Sequence, residues 1–329
     1  MTAISSCTCV ERSSPFSPSS LTYPEWRHGT DNTEGFARDG FVVVRGLFSQ
    51  EEVEETKQQI SRIISDWYER FRTSGTEGLE HEEVVNRLPS VKSGESSSID
   101  PELEVRKLYR IAAHFEFFAK QCCHSRIVSI INLLLGNDIK LLQSMALLKP
   151  PGSGEKRWHQ DNAYFRLAPS SVIGCWIALD PASCANGCMH VLPSSHGTGL
   201  FEHGVPNDES DASFIEYGMS QYPKPEEVIP VILEPGDALI FHGELAHYTP
   251  PNVSQLRRRS VQYHYAASCC KFIKCPRDEE IIRTSTMKEQ PETKPHYFDC
   301  DPSCHEATYF HYRKAEVLVS GREYGNDYI

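Results

Sequence analysis

Apolar residues recur at helical spacing in the first part of the chain and gather into short runs beyond residue 139. Ser49 followed by Glu52 is a capping-box pair, and Val53, Ile60, Ile63, Ile64, Trp67 and Phe71 then share one helical face. A long amphipathic helix is expected there. Just before it, Asp39-Gly40-Phe41-Val42-Val43-Val44-Arg45-Gly46 frames a β-branched run with glycines, which predicts a short strand. Helical patterning resumes over 102–135 and stops at Gly136-Asn137. From 139 to 268 the apolar runs are short, at 140–148, 172–179, 189–192, 228–233, 238–241 and 260–266. Asn186-Gly187 and Pro235-Gly236-Asp237 supply turn chemistry between them. Many short strands in succession predict a barrel or two-sheet jelly roll, so the fold class is mainly β with flanking helices.

These patterns divide the chain. Residues 1–33, rich in Ser, Thr and Pro, are expected to form a flexible arm, with order starting near Phe36. A main domain over 34–268 contains a helical part (49–136) and a β core (139–268). The Ser-, Gly- and Glu-rich stretch 73–101 is expected to be a surface loop or insertion, and 269–329 an extension packed on the core.

Composition narrows the function classes. A formal net charge of -12 argues against a nucleic-acid partner, whose phosphates are bound largely by Lys and Arg. The richest apolar stretch, 127–135, is too short to span a bilayer and is interrupted by Asn132, so no membrane partner is expected. The opening MTAISSCTCVERSS lacks signal-peptide character, and the ending GNDYI is not a peroxisomal Ser-Lys-Leu type signal. The twelve cysteines therefore read as reduced thiols in a cytoplasmic protein, a monomer or weak homo-oligomer. Cys270, Cys275, Cys300 and Cys304, with His296 and His305 nearby, lack the tight Cys-x-x-Cys pairs of common structural zinc sites, so a zinc site there is the lesser reading.

His159-Gln160-Asp161 is the strongest chemical signal. Along a strand His159 and Asp161 share a face, and two imidazoles plus one carboxylate can hold a divalent iron with its opposite positions open. His247 and His242 both offer a second imidazole by spacing alone. Arg258 lies in the triplet Arg257-Arg258-Arg259, of which one member suffices to face inward. His264 is either a pocket-lining or a packed histidine, and Lys156, Arg157 and Arg166 either meet an anionic substrate or are surface charge.

Several blocks in order carry a resemblance: MALLKPPGSG from Met145, Trp158-His159-Gln160-Asp161 with Tyr164-Phe165, and Cys175-Trp176-Ile177-Ala178-Leu179. Asn186-Gly187-Cys188, Leu192-Pro193-Ser194-Ser195-His196 and Gly236-Asp237 leading to Phe241-His242 continue it. From about 144 to 266, and more weakly from Phe36, the chain resembles the phytanoyl-CoA dioxygenase family of Fe(II)- and 2-oxoglutarate-dependent oxygenases. The resemblance implies a double-stranded β-helix (jelly-roll, cupin-like) core with flanking helices. It implies His159, Asp161 and His247 as metal ligands, leaving His242 and His196 structural, and Arg258 as the arginine for the distal carboxylate of 2-oxoglutarate. Further co-substrate contacts are implied for Met145, Gln160, Trp176, Thr249 and Lys107. Tyr248 stands where close relatives have Gly, and its bulk is expected to narrow the site. The implied reaction consumes O2 and 2-oxoglutarate, with ascorbate as a supporting reductant, and hydroxylates a small-molecule substrate: an acyl-CoA, an amino-acid derivative or a secondary metabolite. Retention of Asp161 favours hydroxylation over halogenation, because its loss would open a halide position. The competing readings are a catalytically idle metal- or 2-oxoglutarate-binding sensor or scaffold and a metal-dependent hydrolase, which gives no reason for Arg258.

Overall fold

The computed structural model describes residues 22–26, 32–74, 85–87, 100–204, 218–273 and 317–321. Among them, nine strands form one large sheet, led by Phe41–Val44, Ala238–His242, Ile173–Ala178, Arg258–Ala267 and Ile139–Lys149 in spatial order. A four-stranded sheet orders Ile229–Val231, Met189–Val191, His247–Thr249 and Lys156–His159. The two sheets form the β-rich, double-stranded β-helix core.

Strand periodicity decides which side chains see which layer. Val42, Val44, Cys175, Ile177, Val261 and Tyr263 join the core beneath the helices. Their alternates Phe41, Val43, Trp176 and Ala178 join the core between the sheets, with Cys188, Met189, Val191 and Val231. The outer core is covered by the helix Gln50–Ser74, through Val53, Ile60, Ile64 and Trp67, and by the helix Ser125–Leu135, through Ile127, Ile130 and Ile131. Each buried aliphatic side chain contributes roughly 1.5–3 kcal/mol, so the apolar stripe holds these helices in place more than intrinsic propensity does.

The expected capping box is present, since Glu52 N–H donates to Ser49 Oγ at 3.2 Å and Ser49 N–H donates to Glu52 Oε2 at 2.6 Å. Arg126 and His124 reach the same carboxylate from the second helix, with His124 Nε2 at 3.0 Å. Glu52 thus ties the two helices together.

Three boundaries differ from expectation. Val105–Tyr109 is a strand paired with Ile139–Lys149, with Lys107 opposite Leu147, where helical patterning was read. Pairing to a buried sheet edge outweighs local spacing here, and helix resumes as Ile111–His114, Glu116–Gln121 and Ser125–Leu135. The stretch read as an insertion, 73–101, supplies Val85–Arg87 as a further strand beside Val105–Tyr109. In the region read as a flexible arm, Glu25–Trp26 pairs in parallel with Val43–Val44, Trp26 is buried, and Tyr23 Oη donates to Pro230 O at 2.8 Å. At the other end, Val317–Ser320 adds to Ile139–Lys149.

Burial alone would raise the Glu52 carboxyl, but hydrogen bonds from Ser49 and the Arg126 guanidinium override it and hold the group at about 2. Its folded value lies below the unfolded value of about 4.3, so its stabilisation is complete above that value and disappears as pH falls through about 2. Glu52→Gln is expected to lower stability by about 1–2 kcal/mol at neutral pH. In urea denaturation at descending pH, the gap between wild type and variant should close between about pH 5 and pH 2.

Candidate active site

His159 ends the strand Lys156–His159, His247 opens the strand His247–Thr249, and antiparallel register sets them directly opposite each other. Their ring centroids are 4.1 Å apart. Asp161 Oδ1 lies 3.6 Å from His159 Nε2 and 3.7 Å from His247 Nε2. All three residues are between 2% and 6% exposed.

Both imidazoles are fixed in the tautomer a metal needs. His159 Nδ1–H donates to Arg157 O at 2.7 Å and His247 Nδ1–H to Leu245 O at 2.9 Å, so each Nε2 keeps its lone pair. Phe241 backs His247 edge-on at 5.0 Å between centroids. That ring occupies the space a Cβ on the cross-strand partner Gly174 would need, with Phe241 Cζ 2.3 Å from its position.

Burial, reinforced by His247 and Lys156, pushes the His159 imidazole well below its ordinary value, and burial likewise lowers His247 against the pull of Asp161. Both rings are neutral at neutral pH. Burial opposes ionisation of Asp161, but His264, His247 and His159 together hold its carboxyl well below the usual range. Two neutral imidazoles and a carboxylate converging with ligand atoms within 4.8 Å of one another fit a divalent cation such as iron.

His264 Nε2–H donates to Asp161 Oδ2 at 2.8 Å, which leaves Oδ1 turned to the two histidines. The sequence contains the signal for this contact, since Arg258, Ser260, Gln262 and His264 alternate along one strand and share a face. What the sequence lacks is the distance to Asp161.

The same alternation resolves the arginine triplet. Arg257 pairs with Asp100 and Glu102, and Arg259 makes a fork with Asp180, its Nε 2.9 Å from Oδ2 and its Nη2 3.0 Å from Oδ1. Arg258 points the other way, 3% exposed, with its guanidinium carbon 5.1 Å from the centre of the Trp176 ring. Its Nε and Nη1 have no hydrogen-bond partner, nor do the buried Trp176 Nε1 and Ser260 Oγ. Burial pushes the guanidinium down to about 10, so it remains a cation at neutral pH. A buried cation with unpaired donors is expensive unless an anion meets it.

Around Arg258, Trp176 and Met145 pair with Gln262 across neighbouring strands, and Lys107 lies opposite Leu147 with its Nζ 5.7 Å from the Tyr109 ring centre. Register therefore sets Met145, Trp176 and Lys107 on the inner face that carries Arg258. Thr249 follows His247 across a register shift, opposite Lys156.

Gln160 departs from the expected role. Both hydrogens of its amide are engaged, at 2.9 Å to Gly199 O and 2.7 Å to Glu244 O, and its Oε1 accepts from Phe201 N–H at 2.7 Å. It has no donor left for a co-substrate and instead binds two loops to the metal-bearing segment.

Nor does Tyr248 narrow the site. It lies on the opposite sheet face from His247, stacked on Trp158 with centroids 5.4 Å apart and planes 15° apart. The two rings clamp the strands that carry His159 and His247.

His242 and His196 are structural, as expected. His242 Nδ1 accepts from Glu244 N–H at 3.1 Å, and His196 Nε2–H donates to Ala37 O at 3.1 Å. Lys156 Nζ donates to Tyr164 Oη at 3.1 Å, and Arg157 Nε to Tyr222 Oη at 2.9 Å. Of Cys270, Cys275, Cys300 and Cys304, only Cys270 lies within the described residues, buried, its sulfur 2.8 Å from Ser171 Oγ.

Residues 36–260 match the family described as phytanoyl-CoA dioxygenase. The chain belongs to that family. By this membership it is classed with the 2-oxoglutarate-dependent dioxygenases. It is 27% identical over 273 residues to the peroxisomal phytanoyl-CoA dioxygenase of Rattus norvegicus, covering 79% of this chain and 77% of the rat protein. It is also 27% identical over 263 residues to phytanoyl-CoA dioxygenase domain-containing protein 1 of Danio rerio, covering 72% of this chain and 89% of that one. Among solved structures, the epimerase SnoN in complex with Fe3+, alpha ketoglutarate and nogalamycin RO superposes with a TM-score of 0.55 at 20% identity, over 81% of this chain and 90% of SnoN. EctD from S. alaskensis with bound Fe superposes with a TM-score of 0.54 at 19% identity, over 72% of this chain and 76% of EctD. These likenesses support the fold described above.

Two outcomes are expected from this geometry. His264→Ala should weaken Fe(II) binding by about 10–100-fold in anaerobic titration, because Asp161 loses the donor that orients it. Trp158→Ala and Tyr248→Ala should be non-additive in urea denaturation by about 1 kcal/mol, the coupling of one stacked pair.

Proposed function

We propose that the protein is an Fe(II)- and 2-oxoglutarate-dependent dioxygenase that hydroxylates a small organic substrate, releasing succinate and CO2. The observation that carries this reading is Arg258, a fully buried cation with unpaired donors on the strand whose other end holds Asp161 through His264. A metal-dependent hydrolase would have no use for such a group. A dicarboxylate co-substrate would meet both needs.

His159, Asp161 and His247 would hold the iron. Bound there, the metal supplies activation of O2 coupled to oxidative decarboxylation of the keto acid. The protein's own part is to position and to exclude. The backbone carbonyls of Arg157 and Leu245 keep both imidazoles neutral and aimed, and His264 keeps one Asp161 oxygen turned toward them. Trp176 contacts the Arg258 guanidinium, whose unpaired donors would make a two-pronged pairing with the distal carboxylate. Ser260 Oγ and Trp176 Nε1 are further unpartnered polar atoms on that face, while Met145 and Lys107 would line the pocket. Thr249 would add its hydroxyl near His247. The substrate is an acyl-CoA, an amino-acid derivative or a secondary metabolite, and ascorbate would support turnover by keeping the iron reduced. No helix among the described residues is long and apolar enough to cross a membrane. A cytoplasmic monomer or weak homo-oligomer belongs to the same proposal.

The test is succinate formation from 2-oxoglutarate by anaerobically iron-loaded protein once O2 is admitted, with acyl-CoA and amino-acid panels present. His159→Ala should abolish iron binding and succinate together. Arg258→Ala should retain iron yet weaken 2-oxoglutarate binding by about 2 kcal/mol or more, roughly 30-fold. Arg258→Lys should recover little, because a point charge cannot reproduce the planar fork. Stoichiometric iron and bound 2-oxoglutarate without succinate across the panels would favour the idle binding protein instead.

A further inference from the structure

A second group of metal-ligating side chains lies apart from the cluster of His159, Asp161 and His247. The sulfurs of Cys184 and Cys188 and a ring nitrogen of His190 all lie within 4.8 Å of one another. The Cys-x3-Cys-x-His spacing straddles a tight turn and the strand that follows it. Spacing alone would not bring the three together. The turn does so.

Ser183 N–H donates to Asn186 Oδ1 at 2.8 Å, Asn186 Nδ2 donates to Pro181 O at 2.7 Å, and Cys188 N–H donates to Ser183 O at 2.9 Å. These bonds wind Cys184–Asn186 into a single 3-10 turn that folds Cys184 back over Cys188. Gly187 closes the turn at φ 81°, where a Cβ would lie 2.5 Å from the carbonyl oxygen of Pro250. Only glycine fits. The shape of the ligand loop is therefore set by hydrogen bonds within the chain.

The histidine is oriented as well. His190 Nδ1–H donates to Cys188 O at 3.1 Å, which leaves Nε2 with the lone pair. The Cys184 thiol is hydrogen-bonded to Cys188 and His190. A cation entering the cluster would displace the thiol protons. Cys188 is buried and Cys184 exposed, so the donor set is open to solvent on one side.

We propose that Cys184, Cys188 and His190 form a zinc site whose fourth tetrahedral position is taken by water. Two thiolates and an imidazole form a donor set well suited to zinc, distinct from the two imidazoles and carboxylate of the other cluster. The site sits on the strand Met189–Val191, in which His190 faces Tyr248 and Val191 pairs with His247. A bound zinc would brace the strand alongside His247 without touching the iron ligands.

The full-length, reduced, metal-free protein is titrated with zinc against a chromophoric chelator and, in parallel, with cobalt(II), whose charge-transfer absorption reports sulfur ligation. Wild type should show a sulfur-ligated cobalt site and take up one zinc that does not depend on His159, Asp161 and His247. Cys184→Ser changes an exposed residue and so spares the fold. It and His190→Asn should each lose the charge-transfer band or lower zinc affinity at least tenfold, a loss that even an outer-shell partner can produce. His159→Ala should keep both signals, which separates this outcome from failure of the oxygenase reading. An unchanged band and affinity in Cys184→Ser would overturn the proposal. So would a Cys184–Cys188 disulfide, found by peptide mass after air exposure, that forms as fast with zinc as without it, since the pair would then be a redox couple and not a ligand set.

Discussion

A carboxylate buried away from water must be surrounded by groups that favour its charge, or it takes up a proton and ceases to be an anionic ligand. Asp161 meets that requirement through His264, which donates to one oxygen, while the other oxygen faces His159 and His247 across the space a cation would fill. The three histidines arrive on different strands, so the ligand set depends on the register of both sheets. A one-residue slip between Lys156–His159 and His247–Thr249 would turn one histidine to the outer face and leave the ligand set short of a member. The outward-facing stack of Trp158 on Tyr248 opposes that slip from the other side of the same sheet.

Period-two alternation does the remaining sorting. In the strand Arg258–Ala267, one set of residues points to the helices and contributes Val261, Tyr263 and Tyr265 to the outer core. The other set, Arg258, Ser260, Gln262 and His264, faces inward and carries the polar groups of the site. The flanking arginines of the triplet consequently serve the exterior, where their ion pairs with Asp100, Glu102 and Asp180 are partly solvated and individually weak. Their neighbour's charge stays unmatched inside. Three identical side chains in a row thus have two distinct environments.

Much of this was legible in the sequence. The β-rich core, the capping box at Ser49 and Glu52, the paired HxD motif and the choice of His247 over His242 rested on spacing or on several ordered family blocks. The strand Val105–Tyr109 was not legible, because its apolar residues also satisfy a helical period and only the sheet edge beside it decides between the two. Trp26 was read within a flexible arm for a similar reason: its burial depends on Val43 and Val44, distant in sequence. His264 could be assigned to the correct face by counting in twos but not to a partner. Gln160 sits between two ligands and invites a role in binding, yet the backbone groups that saturate it belong to loops about 40 and 84 residues away. Cys184, Cys188 and His190 carry no familiar ligand spacing, because a turn unites them.

The ion pairs of the outer arginines bear on how the strand Arg258–Ala267 is anchored. Arg257 and Arg259 grip Asp100 and Glu102, at the start of the turn that leads into the strand Val105–Tyr109. Val85–Arg87 is pinned to the sheet edge beside that strand. The residues that bracket Arg258 thus fasten the turn Pro101–Glu104 to the strand that carries the buried cation, so the two flanking charges anchor the chain outside while the middle one is held for the interior.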